Sequence, residues 1–254
     1  MPIRKLKPSF HERPWGSTRL EPWFPNPASR TGEAWLDAGE LDAGDAVPLV
    51  KFLFTTEKLS VQVHPNDEYA RLHHACPGKM EMWHVLAAEP GARIAAGFRE
   101  PLTREQAAAA AESGDIEHLL QWLDAKPGET FFIPAGTVHA IGAGLTICEI
   151  QQHSHITYRL YDYGRPRELH LKDGLTVAEL GPVAARRTLP VECDAFVTAS
   201  GFEPREQGPQ VLIGLRGHGT IDDQPFQAGD VWYLPPGARP SVSGGVDVLR
   251  TYVP

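Results

Sequence analysis

The chain has 254 residues, 42% hydrophobic and 22% charged, with a formal net charge of −8 at pH 7. That is apolar material for one large core or two modest ones, and an acidic balance with no basic run speaks against nucleic acid or an anionic membrane as a partner. No apolar stretch approaches the roughly 20 residues that span a bilayer, and the opening MPIRKLKPSF lacks the apolar run of a signal peptide, so a soluble cytoplasmic protein is expected.

In chain order, the first strong β signal is VPLVKFLFTTEKLSVQVHP, from Val47 to Pro65, rich in β-branched and aromatic residues. A short helix, DEYARLHH, is expected after Asn66 and should stop before Pro77-Gly78. EMWHVLAA and ARIAAGF read as the next strands. Thr103 can cap REQAAAAAE, Ser113-Gly114 interrupts it, and Asp115 can cap IEHLLQWL, which predicts a small helical insertion over 103–124. TFFIPA, LTICEIQ and ITYRLYDY are further strands. After the turn-rich SGFEPREQGPQ, β pattern resumes at about Gln210 and runs to the end. Short strands at close spacing, parted by Gly, Pro and Asp or Asn turns, predict a mainly β sandwich or barrel. Cys76, Cys148 and Cys193 lack metal-finger or C-x-x-C spacing, so neither a disulfide framework nor a thiolate zinc site is implied.

One strand-and-turn is written twice. GETFFIPAGTVHA, from Gly128 to Ala140, aligns without a gap with GDVWYLPPGARPS, from Gly229 to Ser241, and His139 falls opposite Pro240. In each, a strand ends at the Pro, the Gly permits a tight turn, and the chain re-enters a strand at the His or its counterpart. The spacing resembles the second motif of the cupin superfamily, small double-stranded β-barrels in which that His is a metal ligand. The resemblance implies two cupin-like barrels. Residues 1–185 would form a metal-bearing one that contains the insertion, and 186–254 a second, metal-free region.

Further ligands are expected on the preceding strands. LSVQVHP sets Gln62 and His64 two apart, hence on one strand face, and GKMEMW does the same for Lys79 and Glu81. Each residue alone reads as an ordinary core or surface side chain. Joined to the turn, two imidazoles, one carboxylate and one amide oxygen suit a zinc-type catalytic site with an open position for water.

SVQVHPNDEYA, GKMEMWHVL, FFIPAGTVHAIGAG and EIQQHSHITYRLYDYGRPRELHL, in this order, resemble the short bacterial class I mannose-6-phosphate isomerases, over roughly Pro14 to Leu171. The resemblance implies a zinc-dependent cupin with one divalent metal per chain that interconverts mannose 6-phosphate and fructose 6-phosphate. Gln62, His64, Glu81 and His139 match its metal ligands and Arg159 its essential arginine; Ser60 and Arg165 resemble its phosphate contacts. Such chemistry needs a group that moves a proton between C1 and C2 and an electrophile for the developing oxyanion. Lys79 and Glu149 are both candidates for the proton transfer, and Arg159 suits charge stabilisation. Lys58, Arg167 and Lys172 are further basic candidates for the phosphate.

QQHSHITYR departs from the pattern QQNSDTTYR usual in that family. His153 and His155 would share the face of Arg159 if the strand were regular, where they would alter sugar preference or pH optimum or simply sit at the rim of the pocket. A non-catalytic sugar-phosphate-binding cupin and a cupin metalloenzyme acting on another sugar are the competing readings. A metal oxygenase is disfavoured by the fourth ligand and the phosphate candidates. The expected partner is a small sugar phosphate, and oligomeric state is not legible.

Overall fold

A computed structural model of the chain describes residues 2–39 and 46–254. The architecture is mainly β, built from antiparallel sheets and a few short helices. The chain divides into two compact units, one comprising Thr55–Ile147 with Gln151–Arg187, the other Met1–Phe54 with Cys148–Ile150 and Thr188–Pro254. Among the described residues no helix is long and apolar enough to cross a membrane.

The first unit carries a five-stranded sheet in the order Tyr158–Tyr161, Val61–Val63, His139–Ile141, Arg93–Phe98 and Leu120–Asp124. It also holds the neighbouring strands Arg186–Arg187, Thr130–Ile133 and Glu81–Ala88. The apolar face of the five-stranded sheet, with Val61, Val63, Ala95, Ala140 and Leu160, packs against the helical insertion through Ala107, Ala110, Ala111 and Ile116. Alanines let that helix approach the sheet closely. Its start is set as the sequence demands. Thr103 caps the helix Arg104–Ser113 in a reciprocal box with Gln106, and Gly114 at φ +88° ends it.

The insertion is helical only as far as Leu119. Residues Leu120–Asp124, expected to complete a second helix, form a strand whose Ile94↔Leu123 and Ala95↔Trp122 pairs join it to Arg93–Phe98. Sheet pairing overrides the local helical spacing of IEHLLQWL. Helix Asp67–His74 lies where expected, with Asn66 accepting from the Tyr69 N–H. A helix at Leu171–Val177 has no sequence signal of the usual kind, because Gly174 interrupts it. A Cβ on Gly174 would come within 2.6 Å of Leu160 Cδ2, so the glycine permits the close packing.

In the other unit, a six-stranded sheet runs Arg4–Lys5, Val231–Leu234, Gln210–Arg216, Asp247–Tyr252, Val197–Ser200 and Val191–Glu192. The N-terminal strand is tied in by the register Arg4↔Tyr233 and Lys5↔Trp232. Leu212, Ile221, Phe226, Trp232 and Leu234 make its apolar centre. The antiparallel strands Ser9–Ser17, Thr31–Leu36 and Leu49–Thr55 complete the pairing of the N-terminal segment.

Candidate functional site

The doubled turn is one hydrogen-bond frame built twice. Gly128 and Gly229 take φ +88° and +86°, and Gly136 and Gly237 take +87° and +74°, the left-handed region that favours glycine. The Thr137 N–H donates to Pro134 O, as the Ala238 N–H does to Pro235 O, both at 3.1 Å. The Gly136 N–H reaches His64 O and the Gly237 N–H reaches Arg205 O, both at 2.8 Å. Strand register extends the match, since Ile133 opposes Glu81 and Leu234 opposes Gln210. The counterparts of His64, Glu81 and His139 in the second copy are therefore Arg205, Gln210 and Pro240.

In the first copy those three residues converge. His64, Glu81 and His139 offer ligand atoms that all lie within 4.8 Å of one another, and all three are buried. His64 Nδ1 lies 2.9 Å from Ile156 O and His139 Nδ1 lies 2.8 Å from Thr137 O. A carbonyl can only accept, so each Nδ1 carries the proton and each Nε2 presents a lone pair. His64 Nε2 then faces Glu81 Oε1 at 3.2 Å, acceptor against acceptor. His64 Nε2 and both Glu81 oxygens are buried with no oriented hydrogen bond, although the Lys79 ammonium stands 2.9 Å from Oε1 as an ion pair. Converging buried acceptors of this kind suit a cation.

The electrostatics agree. Burial, reinforced by the Lys79 charge, lowers His64 to about 3, and burial also lowers His139, so both imidazoles stay neutral. Burial pushes Glu81 up, but the Lys79 ammonium outweighs it and holds the carboxyl well below its usual range. The donor set at neutral pH is two imidazole lone pairs and one carboxylate. Gln62 adjoins it with Nε2 3.2 Å from His139 Nε2. For its oxygen to act as a fourth donor the amide turns over, an exchange that keeps the same volume.

Arg159 belongs to the same row. The pairs His139↔Gln62 and Gln62↔Arg159 place all three on one face of the sheet, and His64, two residues from Gln62, shares it. The Arg159 Nη1–H donates to Glu168 O at 3.0 Å, and its backbone N–H to His170 Nδ1 at 3.2 Å. Its Nε is buried with no hydrogen-bond partner among the described residues. Ser60 is buried, its hydroxyl 3.4 Å from Gln62 Oε1.

Other expected residues have protein partners of their own. Glu149 forms an ion pair with Lys51 at 3.2 Å within the unit that holds Met1–Phe54, and the Lys51 ammonium lies over the Trp35 ring. Arg165 donates through Nη1 to Asp162 Oδ1 at 3.0 Å, and through Nη2 to Glu57 Oε2 at 3.2 Å and Lys58 O at 2.8 Å. His153 and His155 do not share the face of Arg159. The strand that begins at Leu145 ends at Gln151 and the next starts at Tyr158, and both histidines are exposed on the intervening loop.

Sequence reasoning overlooked Asp162, whose buried carboxylate binds Arg165 and also Arg167 through Nε and Nη2. Its only sequence signal is an acid three and five residues before arginines.

No protein-family model matches the chain. The mannose-6-phosphate isomerase ManA of Bacillus subtilis is 35% identical, across 91% of this chain and 92% of that protein. The mannose-6-phosphate isomerase of Streptococcus mutans is 33% identical, across 70% of this chain and 68% of its own length. Among solved structures, the mannose 6-phosphate isomerase from Bacillus subtilis superposes with a TM-score of 0.87 over 99% of both chains at 24% identity. A variant of phosphomannose isomerase from Salmonella typhimurium superposes at 0.77, over 99% of this chain and all of its own, at 16% identity. The two superpositions bear on the fold.

Proposed function

The chain belongs to the mannose-6-phosphate isomerase family, and we propose that it interconverts mannose 6-phosphate and fructose 6-phosphate through an enediol, with one zinc ion per chain held by Gln62, His64, Glu81 and His139. The observation that carries this reading is the buried His64–Glu81–His139 convergence on the sheet face that also bears Arg159. A divalent ion there would supply electrophilic polarisation of sugar oxygens. Neutral imidazoles beside a carboxylate and an amide oxygen match the donor preferences of zinc.

In the aldose-to-ketose direction a proton leaves C2, one is returned at C1, and the C2 hydroxyl proton passes to the C1 oxygen. Lys79, whose ammonium neutralises Glu81, and Glu149, paired with Lys51, are the candidate carriers of the carbon-bound proton. Arg159 keeps its charge throughout and counters the enediolate. Ser60 and the arginines of 159–167 supply donors for the phosphate. The Gly229 copy, with Arg205, Gln210 and Pro240 at the ligand positions, binds no metal.

The test is turnover of mannose 6-phosphate with metal content measured on the same sample. About one zinc-like ion per chain is expected, chelation should stop turnover, and His139→Ala should lose metal and activity together. Fully metallated protein that turns over no hexose 6-phosphate overturns the reading in favour of a binding module. Separate Lys79→Met and Glu149→Gln variants identify the proton carrier.

A further inference from the structure

The strand Tyr158–Tyr161 lies at the edge of the five-stranded sheet, with Val61–Val63 beside it on one side only. Arg159 faces Gln62 across that pairing, yet its main-chain groups turn the other way. Its N–H donates to His170 Nδ1 at 3.2 Å, and its carbonyl accepts from the His170 N–H at 2.7 Å. The Gln62↔Arg159 pair therefore exchanges no backbone hydrogen bonds, the arrangement in which facing side chains of an antiparallel pair stand closest. His170 alone supplies both partners that an edge strand lacks at this residue.

A third bond comes from the same segment. The Arg159 Nη1–H donates to Glu168 O at 3.0 Å, so residues 168–170 grip both the backbone and the guanidinium of Arg159. The ring state of His170 follows. Facing an N–H donor, its Nδ1 must carry the lone pair, and its proton sits on Nε2, the opposite tautomer to that of His64 and His139. Packing fixes its place. The helix Leu171–Val177 begins at once, with the Gly174 N–H donating to His170 O at 2.8 Å, and a Cβ on Gly174 would come within 2.6 Å of Leu160 Cδ2 and 3.2 Å of Tyr158 Cβ. The helix is thus seated on the two neighbours of Arg159, whose side chains belong to the apolar face of the sheet while that of Arg159 takes the other.

We infer that His170 is a positioning residue for Arg159: its Nδ1 and its N–H complete the free edge of the strand, and with Glu168 O they set where the guanidinium stands relative to Gln62. His170 touches no reacting atom and acts through Arg159. An arginine that meets charge developing in a transition state gains from being fixed beforehand, because a misplacement of about 1 Å can cost on the order of 10²-fold in rate. The effect on turnover rests on the isomerase reading; the hold on the strand does not.

The experiment compares metal-loaded wild type with His170→Asn, His170→Gln and His170→Leu. Asn places an amide oxygen where the imidazole carries Nδ1, Gln reaches past that position, and Leu offers no acceptor. Turnover of mannose 6-phosphate is read as kcat and KM with metal content, and hydrogen exchange of the Arg159 amide is read by NMR. His170→Leu and His170→Gln should lower kcat by about tenfold or more at unchanged metal content, with KM within about threefold, and should speed exchange of the Arg159 amide by about tenfold or more. His170→Asn should keep both readouts within about threefold of wild type. Equal kcat in the Asn and Leu variants, or an Arg159 amide equally protected in all four proteins, overturns the assignment. If His170→Leu does not fold, the contrast between Asn and Gln decides on the same two readouts. Should wild type isomerise nothing, the isomerase reading fails, and amide exchange alone upholds or overturns the role of His170.

Discussion

His64 and His139 each commit one ring nitrogen to a backbone carbonyl, and that commitment decides what the other can do. The rings are neutral in the fold, whereas in an unfolded chain they take up protons near 6.5. A folded pKa below the unfolded one means that the unfolded state binds more protons on acidification, so stability falls with pH. Metal-free protein should therefore lose stability as the pH drops from about 6.5 toward the value of about 3 to which burial lowers His64, and Glu81 adds a loss of the same sign below 4.5. Thermal melts of chelated protein at pH 7.5, 6 and 5 check this; a Tm that is flat across the range contradicts it. Arg159 acts on charge rather than on protons. Arg159→Ala should leave metal content and Tm near wild type while lowering kcat by about 10²-fold or more, a loss of interaction made mainly in the transition state. A change in KM alone would move Arg159 from the chemistry to simple binding.

At the level of strands and helices, Trp232 shows what the second copy of the turn contributes. It is 2% exposed, edge-on to Phe226 with ring centroids 6.4 Å apart, and opposite Leu212. Trp232→Ala should cost about 3 kcal/mol in denaturant unfolding, with kcat of the folded variant unchanged; lost turnover at unaltered stability would bring that element into the catalytic machinery. The elements that were legible in the sequence were those whose periodicity had no rival. Glu81–Ala88 and Leu145–Gln151 are rich in apolar residues and buried over most of their length, and Asp67–His74 carries its own cap. Leu120–Asp124 was misread because IEHLLQWL satisfies a helical spacing that only pairing with Arg93–Phe98 defeats. The proposed metal-ligand positions were legible because the turn repeats and because period-two spacing puts Gln62 with His64. Arg205 and Gln210 as counterparts of His64 and Glu81 were not, since strand register and loop hydrogen bonds, which no local spacing encodes, establish that correspondence. Asp162 was missed for a related reason: an acid near arginines reads as a solvated surface until burial is known.

For the molecule as a whole, the ends of the chain depend on each other. Arg4–Lys5 adds a strand beside Val231–Leu234, the Leu6 N–H donates to Val231 O at 2.8 Å, and the Trp23 indole N–H donates to Leu215 O at 2.9 Å. A Cβ on Gly229 would stand 2.2 Å from Trp23 O, so that glycine admits the N-terminal segment. A chain ended after Arg187 keeps every proposed metal ligand but strips these partners from Met1–Phe54, exposing strand edges and apolar side chains. It should elute from size exclusion as aggregate and melt without a cooperative transition; a monodisperse fragment with a sharp melt would show that the first 54 residues need no partner. The paired turns carry one more consequence. The Gly229 copy forms the same hydrogen bonds as the Gly128 copy without any ligand residue, so the shape of the loop does not depend on a metal-binding side chain. A metal held by His64, Glu81 and His139 would then be a guest in a socket that exists before it arrives, unlike the small zinc folds that collapse without their ion. Protein stripped of metal at neutral pH should keep its circular dichroism spectrum and recover full occupancy when zinc is returned, with no refolding lag.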